Sequence, residues 1–175
     1  MKSPADTTPA SSDAALLARI PSELGAAAAC LNNLEPGITV FGSARTKADS
    51  PDYQCAYRLG RYLAHAGLPL VTGGGPGIMG AANQGAIEAG GDSVGLSLSL
   101  PHEQSPNPYP THPLHFSDFQ TRKLMLTRYS RGFVVFPGGF GPVDELMELL
   151  VVFQTSRSAR KPVVLVGRTF WQGLI

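Results

Sequence analysis

Two glycine-rich runs constrain this chain more than any other feature. Each follows a short apolar, β-branched stretch, and each leads into a stretch with helical spacing. The first, Gly73–Gly74–Gly75–Pro76–Gly77, follows residues 68–72; the second, Pro137–Gly138–Gly139–Phe140–Gly141, follows residues 132–136. A strand that ends in a glycine turn and continues as a helix is the unit of a parallel sheet covered on both faces. The alternation recurs, with strands expected at residues 38–41, 68–72, 93–98, 114–116, 132–136 and 162–166. Helices are expected at residues 51–66, 79–90, 119–129 and 142–155, with another starting at Phe170. In the first of these, Tyr53, Ala56, Tyr57, Leu59 and Leu63 have the spacing of inward residues. The expected fold is a Rossmann-like α/β three-layer sandwich built on a doubly wound parallel sheet.

A chain of 175 residues fits one domain with a substantial core. Residues 1–12 are polar and rich in Pro, Ser, Thr and Ala, and read as a disordered tail. Residues 13–35 read as an Ala- and Leu-rich helical extension, interrupted or restarted at Pro21–Ser22, and residues 36–175 as the nucleotide-binding domain. Residues 101–113 form a proline-rich loop. Residues 170–175 look like the first turns of an amphipathic helix, either nearly complete or cut short.

A net charge of +1 argues against a nucleic-acid binder that depends on a broad basic face. The start of the chain lacks the basic and apolar runs of a secretory signal, and no stretch approaches membrane-span length, so a cytoplasmic protein is expected. Cys30 and Cys55 have no CxxC spacing and no nearby His, which disfavours a zinc site or a disulfide framework; both read as small buried hydrophobes. The four His residues, at 65, 102, 112 and 115, read as solvated or structural.

In an open parallel sheet, ligands bind beyond the carboxyl ends of the strands. Several glycines at such an end let the backbone approach a ligand, and the free N–H groups of the following helix face an anion. The first run is neither a P-loop, which needs GK[ST], nor a clean GxGxxG with a following ribose acid. Taken alone, it is as easily a tight strand–helix connection. The second run adds Asp144 and Glu145 in what reads as the first helical turn. Those carboxylates either complement the helix dipole or face the ligand, where one can stabilise an oxocarbenium-like transition state or activate water. Arg122 and Lys123 sit in a mostly apolar helix that leads into the strand before the second run. Such pairs are usually solvated, but here little other charge shares the helix, which favours an inward Arg able to take a phosphate bidentately.

Together these residues resemble the family long labelled lysine decarboxylase-like, which includes the cytokinin-activating "lonely guy" phosphoribohydrolases. The shared pattern is a GGGxxGxM turn, an RK pair in a helix and PGGxGTxxE at a later strand end, over roughly residues 37–175. The resemblance implies hydrolysis of the N-glycosidic bond of a purine nucleoside 5′-monophosphate, giving free base and ribose 5-phosphate. It implies Arg122 and Glu145 as the catalytic pair. Ser43, Gly75, Gly138, Gly139, Gly141, Lys123 and Asp144 are expected to line the nucleotide site, with Glu103 contacting sugar or base. It also implies a homodimer with the site near the subunit contact. Nothing in the sequence marks a pyridoxal phosphate site, and neither a cofactor nor a metal is expected.

One departure stands out: the Thr that follows the second glycine run in the family pattern is Pro142 here. Proline suits the first position of a helix, but it removes a hydroxyl and a backbone N–H that could hold a phosphate. Two other readings compete. One is a non-catalytic carrier or sensor of a phosphorylated ligand, a nucleotide or a molybdenum cofactor, for which both Arg122 and Glu145 have no evident use. The other is an NAD(P)-dependent dehydrogenase, disfavoured by the missing fingerprint and the lack of room for a substrate domain.

Overall fold

A computed structural model describes residues 9–98, 106–155 and 159–174. Six parallel strands form one sheet in the order β4-β3-β2-β1-β5-β6. They are β1 (Gly37–Phe41), β2 (Leu70–Thr72), β3 (Ser93–Leu98), β4 (His112–Phe116), β5 (Ser130–Val135) and β6 (Val163–Leu165). The helices are α1 (Pro9–Leu31), α2 (Pro51–His65), α3 (Ile78–Glu88), α4 (Phe119–Arg128), α5 (Phe140–Gln154) and α6 (Arg168–Trp171). The expected doubly wound three-layer sheet is the fold observed.

Alternate strand residues feed two separate cores, as strands covered on both faces require. On one face Val40, Leu70, Val134 and Phe136 pack with Ala56 and Leu63 of α2 and Ile78, Ala81, Ala82 and Ala86 of α3. On the other, Phe41, Val71, Leu96, Phe133 and Val135 meet Met125 and Leu126 of α4, Leu146, Leu149 and Phe153 of α5, and Trp171. Ala27 and Leu31 of α1 join this second core. The N-terminal helix therefore packs on the domain, and Glu23 accepts hydrogen bonds from the Ser117 backbone and hydroxyl at the start of α4.

Several boundaries moved for local reasons. The helix α1 begins at Pro9 and runs through Pro21 without a break, while residues 1–8 of the expected tail lie outside the described residues. Strand β2 starts at Leu70 rather than residue 68, although Pro69 still accepts a bond from the Ile38 N–H. Strand β4 starts at His112, inside the expected loop; it is an edge strand, where Pro113 removes no ladder bond that the sheet needs. Cys30 and Cys55 are free and half-buried rather than fully buried. Among the described residues, no helix is long and apolar enough to cross a membrane.

The chain reverses direction across the sheet between β1 and its two neighbours: β2 follows on one side and β5 returns on the other. The carboxyl ends of β1 and β5 are therefore the topological switch point, where sheets of this kind bind their ligands. Small residues hold the adjoining helices close. A Cβ on Gly85 would collide with the Tyr57 carbonyl oxygen, and one on Gly60 with that of Ala82, so α2 and α3 cross almost backbone to backbone. Gly85→Ala is expected to destabilise the protein by about 1–3 kcal/mol in urea unfolding. Gly25→Ala, in α1 where nothing lies within 4 Å, is expected to stabilise it by about 0.5–1 kcal/mol. Equal stability of Gly85→Ala and wild type would contradict the tight crossing.

Candidate functional site

The four helices α2 to α5 start in two ways. Helices α2 and α4 are capped by side chains: Ser50 accepts from the Tyr53 N–H, and Asp118 accepts from the Thr121 N–H and hydroxyl. The Thr121 bonds hold the Asp118 carboxyl below its usual range, as a carboxylate receiving two donors should be. Helices α3 and α5 follow the glycine runs, and neither has a side-chain cap. The first N–H groups of a helix lack intrahelical partners, so an uncapped start is open to an anion. Gly139 and Gly141, at the start of α5, are exposed, and a Cβ on either would meet nothing within 4 Å. Gly138 lies against Ser43 at the end of β1: its Cβ position is 3.2 Å from the Ser43 N. The Ser43 carbonyl in turn accepts the first N–H of α3, from Ile78, at 3.1 Å. Ser43 thus joins the starts of α3 and α5 at the switch point.

Arg122 points inward. Its Nε donates to the Leu96 carbonyl at 2.7 Å, its Nη2 lies over Gly73 where any Cβ would collide with it, and its side chain is 11% exposed. Its Nη2 is 3.8 Å from Oε1 of Glu145, whose side chain is 13% exposed. Burial pushes the Glu145 carboxyl up from 4.5 to about 7; Arg122 and Lys123 oppose the rise, while Asp144 and Glu148 add to it. The two residues expected to form the catalytic pair are thereby brought together, desolvated, beside the first glycine turn.

The remaining expected residues divide. Gly75 lies at that turn, packed near the Met79 methyl. Lys123 is engaged: its Nζ contacts Glu148 at 2.6 Å and Asp144 at 3.1 Å. Burial alone would lower its proton affinity, but the two carboxylates outweigh it and the net shift is upward. Lys123 and Asp144 therefore meet each other rather than standing free at the switch point. Glu103 lies outside the described residues.

The start of α5 corrects two expectations. The helix opens at Phe140, so Asp144 and Glu145 fall in its second turn, and no acidic residue occupies the first. Capping the free N–H groups does not explain them. Pro142 is third in the helix rather than first, buried with its ring against Gly138. A residue there has no intrahelical acceptor for its N–H, so proline breaks no helical bond and removes one donor from the anion-facing end. Glu148 was not singled out from the sequence; its signal is its place four residues after Asp144, on the same helical face.

Because the folded protein favours the protonated Glu145, this group costs stability as pH rises from 4.5 to about 7. That interval is worth roughly 3 kcal/mol at most. The melting temperature of Glu145→Gln relative to wild type should therefore climb from about pH 5 to about pH 8. A difference independent of pH would show that Glu145 titrates normally.

Comparison with known proteins places these residues in context. The family described as possible lysine decarboxylase matches residues 79–175. The chain is 31% identical over 132 residues to the cytokinin riboside 5′-monophosphate phosphoribohydrolase LOG of Oryza sativa subsp. japonica, covering 72% of this chain and 52% of that protein. It is 29% identical over 126 residues to the pyrimidine/purine nucleotide 5′-monophosphate nucleosidase of Escherichia coli (strain K12), covering 66% of this chain and 28% of that one. The match thus spans about half of the rice protein and under a third of the bacterial one. Among solved structures, the molybdenum cofactor carrier protein of Chlamydomonas reinhardtii superposes with a TM-score of 0.59 at 26% identity, over 80% of this chain and 84% of that one. With a family match over more than half of its length, and with the two glycine turns and the Arg–Glu pair in place, this chain belongs to the possible lysine decarboxylase family.

Proposed function

We propose that the protein hydrolyses the N-glycosidic bond of a purine nucleoside 5′-monophosphate, releasing free base and ribose 5-phosphate. The observation that carries this reading is the desolvated Arg122–Glu145 pair, 3.8 Å apart, at the mouth of two uncapped helix starts. The phosphate sits at the start of α5 against Gly138, Gly139, Gly141 and Ser43, where open N–H groups and the helix dipole favour an anion. The ribose then reaches inward toward Glu145. As the C1′–N bond breaks, its electron pair leaves with the base and positive charge develops on the ribose. A Glu145 carboxylate stabilises that charge and takes the proton of the water that attacks C1′. A carboxyl that titrates near 7 is well matched to a base working at neutral pH. Arg122 balances the buried carboxylate and holds the substrate.

The decarboxylase label finds no support at this site. A Schiff-base lysine must be able to give up its proton, whereas Lys123 is held charged by Asp144 and Glu148. The likeness to a molybdenum cofactor carrier sustains a second reading, a non-catalytic carrier or sensor of a phosphorylated ligand, with Pro142 as its local support. A pure carrier has no use for a base held near neutrality beside a guanidinium. We also propose a homodimer. Leu124 on α4 and Phe140, Leu150 and Val151 on α5 are large apolar side chains left exposed on neighbouring helices, Phe140 at 96%.

Incubating the protein with AMP and with isopentenyl-AMP, and following free base by chromatography, tests the proposal. Wild type is expected to release base, and Glu145→Gln to lose at least about a hundredfold in rate. Saturable nucleotide binding without base release would favour the carrier. Pro142→Thr restores a hydroxyl and an N–H at the anion-facing end. It is expected to tighten AMP binding by about tenfold or more in calorimetry. Unchanged affinity would mean that the phosphate does not sit there.

A further inference from the structure

The chain enters β4 through a proline-rich segment that lies against the first glycine turn. The described part of the connection between β3 and β4, residues 106–111, is a strap outside helix and strand with Pro106, Pro108 and Pro110. The strap is tied down at both ends. Near β4, the Thr111 hydroxyl donates to the Ser93 carbonyl at 3.1 Å and accepts from the Ser93 N–H at 3.0 Å. Pro110 sits over Gly95, where its Cγ is 2.5 Å from the place a Cβ would occupy. At the other end, Asn107 grips the first glycine turn.

The grip uses every polar atom of the Asn107 side chain. Its Nδ2 donates to the Gly75 carbonyl at 2.9 Å and to Oδ1 of Asn83 at 3.1 Å, and its Oδ1 accepts the Tyr109 N–H at 3.1 Å. Its backbone N–H donates to the Gly74 carbonyl at 2.9 Å. Asn83, fully buried in α3, is fixed in turn: it accepts from the Thr72 hydroxyl at 2.7 Å and donates to Ser93 Oγ at 2.8 Å. Thr72 Oγ1 also accepts the Gly74 N–H at 3.0 Å. The turn is thus clamped from its own strand, from α3 and from the strap.

The clamp has a directional consequence. Across a planar trans peptide, C=O and N–H point opposite ways. With the Gly74 carbonyl drawn to Asn107, the Gly75 N–H of the same peptide faces away from the strap. The next peptide, ending at Pro76, has no N–H to offer. One residue earlier, Gly73 forms the surface beneath the Arg122 guanidinium. We propose that Asn107 is a positioning residue of the site: it fixes the orientation of the Gly75 amide and the height of Gly73 under Arg122. The kinetic consequence rests on the nucleotide-hydrolase reading; the structural one does not.

The test uses Asn107→Asp, which keeps the shape but sets a carboxylate against two carbonyl oxygens, and Asn107→Ala, which adds no charge. Thr111→Val is the control, loosening only the far end of the strap. Amide hydrogen exchange of the segment spanning residues 70–80 is read by mass spectrometry, and kcat/KM for AMP is read beside it. Both Asn107 variants are expected to exchange faster in that segment and to lose about tenfold or more in kcat/KM, while Thr111→Val matches wild type in both. Wild-type exchange in the Asn107 variants overturns the proposal, as does faster exchange with kcat/KM unchanged. If wild type itself releases no base, the hydrolase reading falls. Exchange together with calorimetric AMP affinity then decides the role of Asn107: affinity lost with faster exchange supports it, and affinity kept overturns it.

Discussion

A guanidinium and a carboxylate, each about nine-tenths buried, face each other at 3.8 Å beside the switch point of the sheet. Burying both charges is expensive, and the structure offsets the cost only in part. Arg122 keeps a short bond to the Leu96 carbonyl, but Glu145 is left with a carboxyl that ionises only near neutrality. A fold selected for stability alone would place an apolar pair here. The arrangement fits the proposed glycosidase, in which a carboxylate withdrawn from water stabilises developing positive charge better than a solvated one.

Much of the surrounding structure follows from this demand. Gly73 is glycine because the guanidinium occupies the space of its Cβ, and Gly138 is glycine because Ser43 and Pro142 crowd the same position. The α3 and α5 starts lack the side-chain caps of α2 and α4; the first N–H of α3 is taken by the Ser43 carbonyl, and the start of α5 is left open to an anion. Lys123 is absorbed by Asp144 and Glu148, which leaves Arg122 as the cation facing Glu145.

The layered sheet was legible because its signal is periodic and local: continuous apolar strands, glycine turns and helical spacing all agree. The inward Arg122 was legible from its apolar helix; the second glycine turn pointed to Asp144 or Glu145, and only the family resemblance chose Glu145. What the sequence hid depends on tertiary contact. Helix α5 starts at Phe140, after Gly139 and without a capping side chain, two residues before the expected start, which moved Pro142 and both carboxylates deeper into the helix. The engagement of Lys123 needs α4 and α5 side by side, which no spacing within either helix reveals. Asn107 stands in a segment that reads only as a proline-rich loop; its bonds reach Gly74, Gly75 and Asn83, all more than twenty residues earlier.

On the proposed reading, this pair breaks the bond between ribose and base with water as the acceptor. Incubation with AMP in ¹⁸O-labelled water, followed by mass spectrometry of the sugar product, tests it most directly. Adenine and ribose 5-phosphate are expected in equal amounts, with ¹⁸O on the anomeric carbon in a single-turnover reaction analysed before exchange. AMP recovered intact from a protein that binds it, or adenosine and inorganic phosphate as the products, would contradict it.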